Sequence, residues 1–142
     1  MSPAAALDEC RDYVVELERR ERDRRGGNRG EVRGRVATRV RVAPGTLENL
    51  ARGRLKRLEF WVHERLRRAW IAELRGEIGR HETALARALR TPGLLDEDEV
   101  AEATLGLSAL RAHLRRLEGG DPRSPALAEG AAAIEPRRSD AA

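Results

Sequence analysis

The sequence predicts an all-α protein, and three observations carry that prediction. Aromatic residues make up 3% of the chain and charged residues 37%, so a core has to be assembled from Leu, Val, Ile and Ala on narrow stripes. Apolar positions recur three or four apart over long windows, whereas alternation with period two is scarce. β-Branched residues are sparse outside 32–46. The 142 residues suffice for one domain, or for one small domain with a helical extension and a tail.

Taken in chain order, Ser2-Pro3 reads as a cap followed by a first-turn proline, opening a helix to about Arg25. Leu7, Cys10, Val14 and Leu17 give it one buried face. "RRGGNRGE" (24–31) breaks it, and short helices are expected at about 31–40 and 44–52. From about Arg54 to Arg90 no proline interrupts a long amphipathic helix. Its stripe runs from Leu55 through Leu66, Leu74 and Ile78 to Leu89 with a spacing of about 3.8 residues, so it drifts by roughly 160° around the axis. Such a helix is expected to change packing partner along its length. "TPGLL" (91–95) stops it, and Asp96 with Glu99 forms a capping-box-like start for a helix over 98–118. The stripe Val100, Ala103, Leu107, Leu110, Leu114, Leu117 is a coiled-coil seam, and the short turn folds it back antiparallel on the long helix. The segment 119–142 has no sustained stripe and is expected to be disordered.

Charge is distributed unevenly. Residues 19–57 carry 14 basic and 4 acidic side chains, whereas 58–118 carry 10 and 11. A basic block beside a near-neutral one suggests a polyanion-binding end and a protein-packing end. Only Lys56 among the 28 basic residues is a lysine, which fits a GC-rich coding sequence. Cys10 is the sole cysteine, so no intramolecular disulfide forms. No apolar stretch approaches the ~20 residues of a membrane span. "MSPAAALDEC" lacks a basic-then-apolar leader, and the expected location is cytoplasmic.

The segment "VATRVRVAPGTLENLARGRLK" (36–56) has the spacing that a helix-turn-helix requires. One helix crosses the DNA backbone and a sharp turn delivers a second into the major groove. Ala37 is the small residue at the crossing, Val36, Val40 and Val42 flank the turn, and Leu47 and Leu50 form the inner face of the second helix. This resembles the Cro and phage-repressor class of bacterial XRE-type regulators over about residues 31–58, with 7–25 serving as the preceding helix. The family usually has glycine in a left-handed conformation at the turn; here Arg41 occupies the place. The resemblance implies a sequence-specific regulator that binds double-stranded DNA, works as a homodimer, and fits a prophage or mobile-element origin. No membrane partner and no cofactor are expected.

The leading end of the recognition segment, Ala43-Pro44-Gly45, offers no side-chain hydrogen bonds to bases, so base reading falls to Thr46, Glu48, Asn49 and Arg52. Arg33, Arg35, Arg39, Arg41, Arg54, Lys56 and Arg57 are the expected phosphate contacts. Dimerisation is expected to involve Trp61, Ile71, Leu107 and Leu114. The expected organisation is a DNA-binding region over 1–58 (linker 26–30), a helical hairpin over 59–118 and a tail over 119–142.

Other chemistries find little support. His81-Glu82 has Leu85 where a zinc peptidase helix needs its second histidine, and His63, His81 and His113 lie far apart. Carboxylates such as Glu73 and Glu77 alternate with arginines and read as surface ion pairs. No nucleophile–base grouping stands out, so the chain is not expected to be an enzyme. No aromatic residue lies between 14 and 59 to stack on splayed RNA bases. The rival readings are a helical interaction module without DNA binding and a nonspecific architectural DNA binder.

Overall fold

The computed structural model describes residues 2–119. Over these residues it contains five helices and no strand: α1 (Pro3–Arg25), α2 (Arg29–Val40), α3 (Pro44–Ala51), α4 (Phe60–Leu89) and α5 (Glu97–Gly119). None is long and apolar enough to cross a membrane. Apart from Gly119, the segment expected to form a disordered tail lies outside the described residues.

Local sequence sets most helix ends. Ser2 Oγ accepts the Ala5 N–H at 3.1 Å ahead of Pro3, capping α1. Gly26 and Gly27 then take positive φ values of 67° and 104° and end it. Asn28 Oδ1 accepts the Glu31 N–H at 2.9 Å, so α2 begins at Arg29 and the break is shorter than "RRGGNRGE" suggested. At the start of α5 the capping box is reciprocal: Asp96 Oδ1 accepts the Glu99 N–H at 2.8 Å, and Glu99 Oε2 accepts the Asp96 N–H at 2.9 Å.

The start of the long helix differs from the sequence expectation. α4 begins at Phe60, not near Arg54. Gly53 adopts φ 69°, and the Arg54 and Leu55 N–H groups both bond back to the Asn49 carbonyl at 2.8 and 3.3 Å. That closure ends α3 and sends 54–59 away without helical structure. Leu55 and Leu58 are still half-buried, now from a loop.

The chain divides into two compact units within α4, Met1–Glu77 and Ile78–Ala142, whereas the sequence had suggested a boundary at 58. In the first unit α1, α2 and α3 pack pairwise on one another. Its centre is formed by Cys10, Val14, Leu17, Val32, Val36, Leu47, Leu50, Leu66 and Leu74. Burial, reinforced by Glu9, pushes the Cys10 thiol up to about 12, so it acts as a small hydrophobe rather than a nucleophile. In the second unit the end of α4 turns back through 90–96 into α5, with Leu107 buried between them. The long helix therefore does change partner, packing through Val62–Trp70 in the first unit and facing α5 through His81, Leu85 and Ala88 in the second.

Arginine–carboxylate pairs tie the first unit together. Glu18 takes two bonds from Arg33 at 2.9 and 3.2 Å, and Glu21 lies 3.7 Å from Arg35. Glu73, only 5% exposed, binds both Arg24 and Arg39, the latter at 2.9 Å. Glu77 pairs with Arg20, whose guanidinium lies 4.8 Å from the Trp70 ring centroid. Glu73 is thus a buried junction of α1, α2 and α4 rather than the surface pair expected from helical spacing.

Candidate nucleic-acid interface

The segment from Val36 to Arg57 supplies a helix, a turn and a second helix with one apolar side. Val36, Ala37, Val40, Val42, Leu47 and Leu50 are all buried, so the spacing read as a helix crossing does define a packed face. At the turn, Arg41 adopts the left-handed conformation (φ 58°, ψ 44°) and is the one non-glycine residue with positive φ among the described residues. This is the conformation in which glycine is favoured, reached here by a residue for which it is strained. Three bonds hold it: the Arg41 and Val42 N–H groups donate to the Ala37 carbonyl, the latter at 3.2 Å, and Arg65 Nη1 donates to the Arg41 carbonyl at 2.5 Å.

α3 then starts at Pro44 with no side-chain cap on Ala43. A Cβ built on Gly45 would meet nothing within 4 Å, so the backbone there is open to close approach. Of the expected base readers, Asn49 is exposed and its side chain makes no hydrogen bond among the described residues. Thr46 is half-buried. Glu48 and Arg52 pair with each other at 3.0 Å, one turn apart on the exposed side of α3. All four share the short helix and its immediate C-terminal end.

The expected phosphate contacts divide into two groups. Arg41, Arg54, Lys56 and Arg57 are exposed and enter no ion pair among the described residues. They lie in the turn before α3 and the loop after it. Arg33, Arg35 and Arg39 do not belong with them. Each is committed inward, to Glu18, to Glu21 and the Gly26 carbonyl, and to Glu73, respectively. Releasing Arg33 or Arg35 would take from Glu18 or Glu21 its arginine, and releasing Arg39 would take one of the two that hold Glu73, so these guanidiniums are engaged within the first unit rather than free.

Two neighbours escaped the sequence reading. Arg65, besides holding the turn, places its guanidinium 4.6 Å from the Trp61 ring centroid. Arg11 Nε donates to the Ala51 carbonyl at 3.1 Å and so satisfies the C-terminal end of α3 from α1. Nothing in local spacing reveals either, because both act across elements far apart in sequence.

The four residues expected at a dimer contact are scattered. Ile71 and Leu107 are 7% and 5% exposed and spend their area inside the chain, which removes them as free contact surface. Trp61 is 48% exposed, and Leu114 is half-buried.

No family model matches the chain, and neither a curated protein nor a solved structure matches it significantly.

Proposed function

We propose that the first unit binds double-stranded DNA in the manner of a helix-turn-helix regulator, with α3 in the major groove. The observation that carries this reading is the pairing of an apolar inner side of α3 with an outer side that presents a free Asn49 between unpaired cations. Val42, Leu47 and Leu50 anchor the helix from within, while Arg41 precedes it and Arg54, Lys56 and Arg57 follow it. Those four cations suit phosphates on either side of a groove and supply affinity without sequence preference. Asn49 has both donor and acceptor free for the edge of an adenine. Arg52 reaches a guanine or a phosphate once it leaves Glu48, an exposed helical pair worth only about 0.5 kcal/mol. Binding of this kind serves transcriptional regulation.

The test is binding of the protein to its own upstream DNA and to a scrambled fragment, titrated over salt. Preference for the native fragment is expected, with a log–log salt slope near 0.9 per phosphate contact. Asn49→Ala is expected to erase roughly 1–3 kcal/mol of that preference while leaving the salt slope intact. Absence of binding at low salt would sink the reading.

A nonspecific architectural role draws on one observation of its own. Ala43-Pro44-Gly45 carries no base-reading group, and the Glu48–Arg52 pair occupies two of the four remaining candidates. On that reading Asn49→Ala changes nothing, and only neutralising the cations weakens binding.

A further inference from the structure

We propose that the apolar groove of the second unit is filled by the same groove of a second copy, stacked antiparallel, so that two hairpins close a four-helix bundle. The groove lies between the end of α4 and α5 and encloses about 530 Å³. His81 and Leu85 form one wall, and Ala103, Gly106, Leu107 and Leu110 form the other. By helical geometry Gly106 and Leu110 lie to one side of Leu107 and Arg111 to the other. On that other side Arg111 bridges to Glu82 at 3.0 Å, so the hairpin is closed at one edge and open at the opposite one. Two helices alone form a single layer, and a stable core needs a second. The seam of α5 reflects this: Leu107 is buried, but Val100, Ala103, Leu110, Leu114 and Leu117 remain partly exposed.

Charge identifies the missing layer as the hairpin itself. Residues 87–110, around the turn, carry five carboxylates and two arginines. At the open end, 78–86 and 111–118 carry four arginines and two carboxylates. Parallel stacking would set like ends together, whereas antiparallel stacking sets each acidic end on the partner's basic end. The partly exposed seam residues also match their own reverse, with Val100 facing Leu117 and Ala103 facing Leu114 of a second copy. This is the self-complementarity that a two-fold interface requires. Glu102 lies one turn before Gly106 and Arg80 one turn before Ala84, on the open side of each helix; both are exposed and enter no ion pair among the described residues. Neither lies in a terminal turn of its helix, so the helix dipole accounts for neither, and antiparallel stacking sets Glu102 against Arg80 of the second copy. A layer of this size covers roughly 500 Å² per copy, at the lower edge of stable interfaces, so micromolar association is expected. The pairing rests on the second unit alone and stands whether or not α3 binds DNA.

Sedimentation of the full chain from about 1 μM to about 1 mM tests it. The mass is expected to rise from 15.8 kDa towards twice that value. Glu102→Arg sets arginine against Arg80 of the second copy, and Arg80→Glu sets glutamate against its Glu102. Each variant alone is expected to associate about tenfold more weakly, and an equimolar mixture of the two, which sets an arginine against a glutamate at both contacts, is expected to restore association. Gly106→Glu, whose Cβ would meet nothing within 4 Å, is expected to abolish pairing with helicity retained. A wild-type chain that stays monomeric throughout overturns the proposal. So does a mixture that fails to associate better than its components. Dimers that appear only after removal of residues 120–142 would assign the groove to this chain's own C-terminal segment, and would equally overturn it.

Discussion

Arg41 carries two opposed effects in one side chain. Its left-handed backbone costs an L-residue roughly 1–2 kcal/mol, while its guanidinium stands free beside the start of α3. Glycine relieves the strain, at the cost of a more disordered unfolded chain, and keeps the carbonyl that Arg65 holds. Arg41→Gly is therefore expected to stabilise the fold by about 0.5–1 kcal/mol in urea titration. On the proposed function it also lowers the salt slope of DNA binding by about 0.9. A variant both less stable and unchanged on DNA would remove Arg41 from the site. Glu73 shows the opposite balance. Burial disfavours its charge, but hydrogen bonds from Arg24 and Arg39 outweigh that and hold its carboxyl below the usual range. A carboxyl with a lowered folded pKa contributes stability that is complete above its unfolded value and is lost as pH falls through the folded one. Glu73→Gln is expected to cost about 2 kcal/mol at neutral pH, discounted because Arg24 and Arg39 are 41% and 34% exposed. The gap between variant and wild type narrows on acidification, as urea midpoints at neutral and acid pH will register.

Among the elements, the boundary between α3 and α4 is governed by one glycine. Gly53 has φ 69°, and a Cβ there would meet only the Arg11 guanidinium at 3.9 Å. Gly53→Ala carries backbone strain without a clash, and a loss of about 1 kcal/mol is expected from denaturant midpoints. A loss of several kcal/mol would mean that Arg11 and its bond to the Ala51 carbonyl depend on the bend. This boundary also marks where the sequence stopped being legible. Two helix starts were readable because Ser2 and Asp96 cap them within three residues of chain, whereas Asn28, the cap of α2, read as part of the break. The buried face of 36–50 was readable because Ala37, Leu47 and Leu50 must recur at crossing distance. Residues 54–59 contain helix formers and no proline, so only the Asn49 carbonyl, engaged by Arg54 and Leu55, reveals that the helix has ended. That Arg33, Arg35 and Arg39 pair with carboxylates was not legible for a related reason. Their partners are 9 to 34 residues away, and charge counting cannot tell a cation facing solvent from one facing a buried Glu73. Glu18 beside the buried Leu17, with Glu21 one turn on, was the available sign that arginine would be drawn inward.

For the molecule as a whole, burial is unequally shared between its two units. Every side chain with almost no exposure, from Cys10 to Leu74, belongs to Met1–Glu77, whereas Ile78 and Leu107 are the buried apolar residues described in the second. Each fully buried aliphatic side chain contributes roughly 1.5–3 kcal/mol, so local opening of α5 costs far less than opening of α1. Hydrogen exchange on the dilute chain is expected to show amides of 100–117 protected at least about 100-fold less than those of 10–21, a gap of about 2.7 kcal/mol. Raising the concentration into the range where two hairpins pair slows exchange in α5 and leaves α1 unchanged, because pairing stabilises only the unit that it covers. Equal protection of α1 and α5 at every concentration would mean that the chain unfolds as one cooperative body, and that the groove needs no second layer to hold α5 in place.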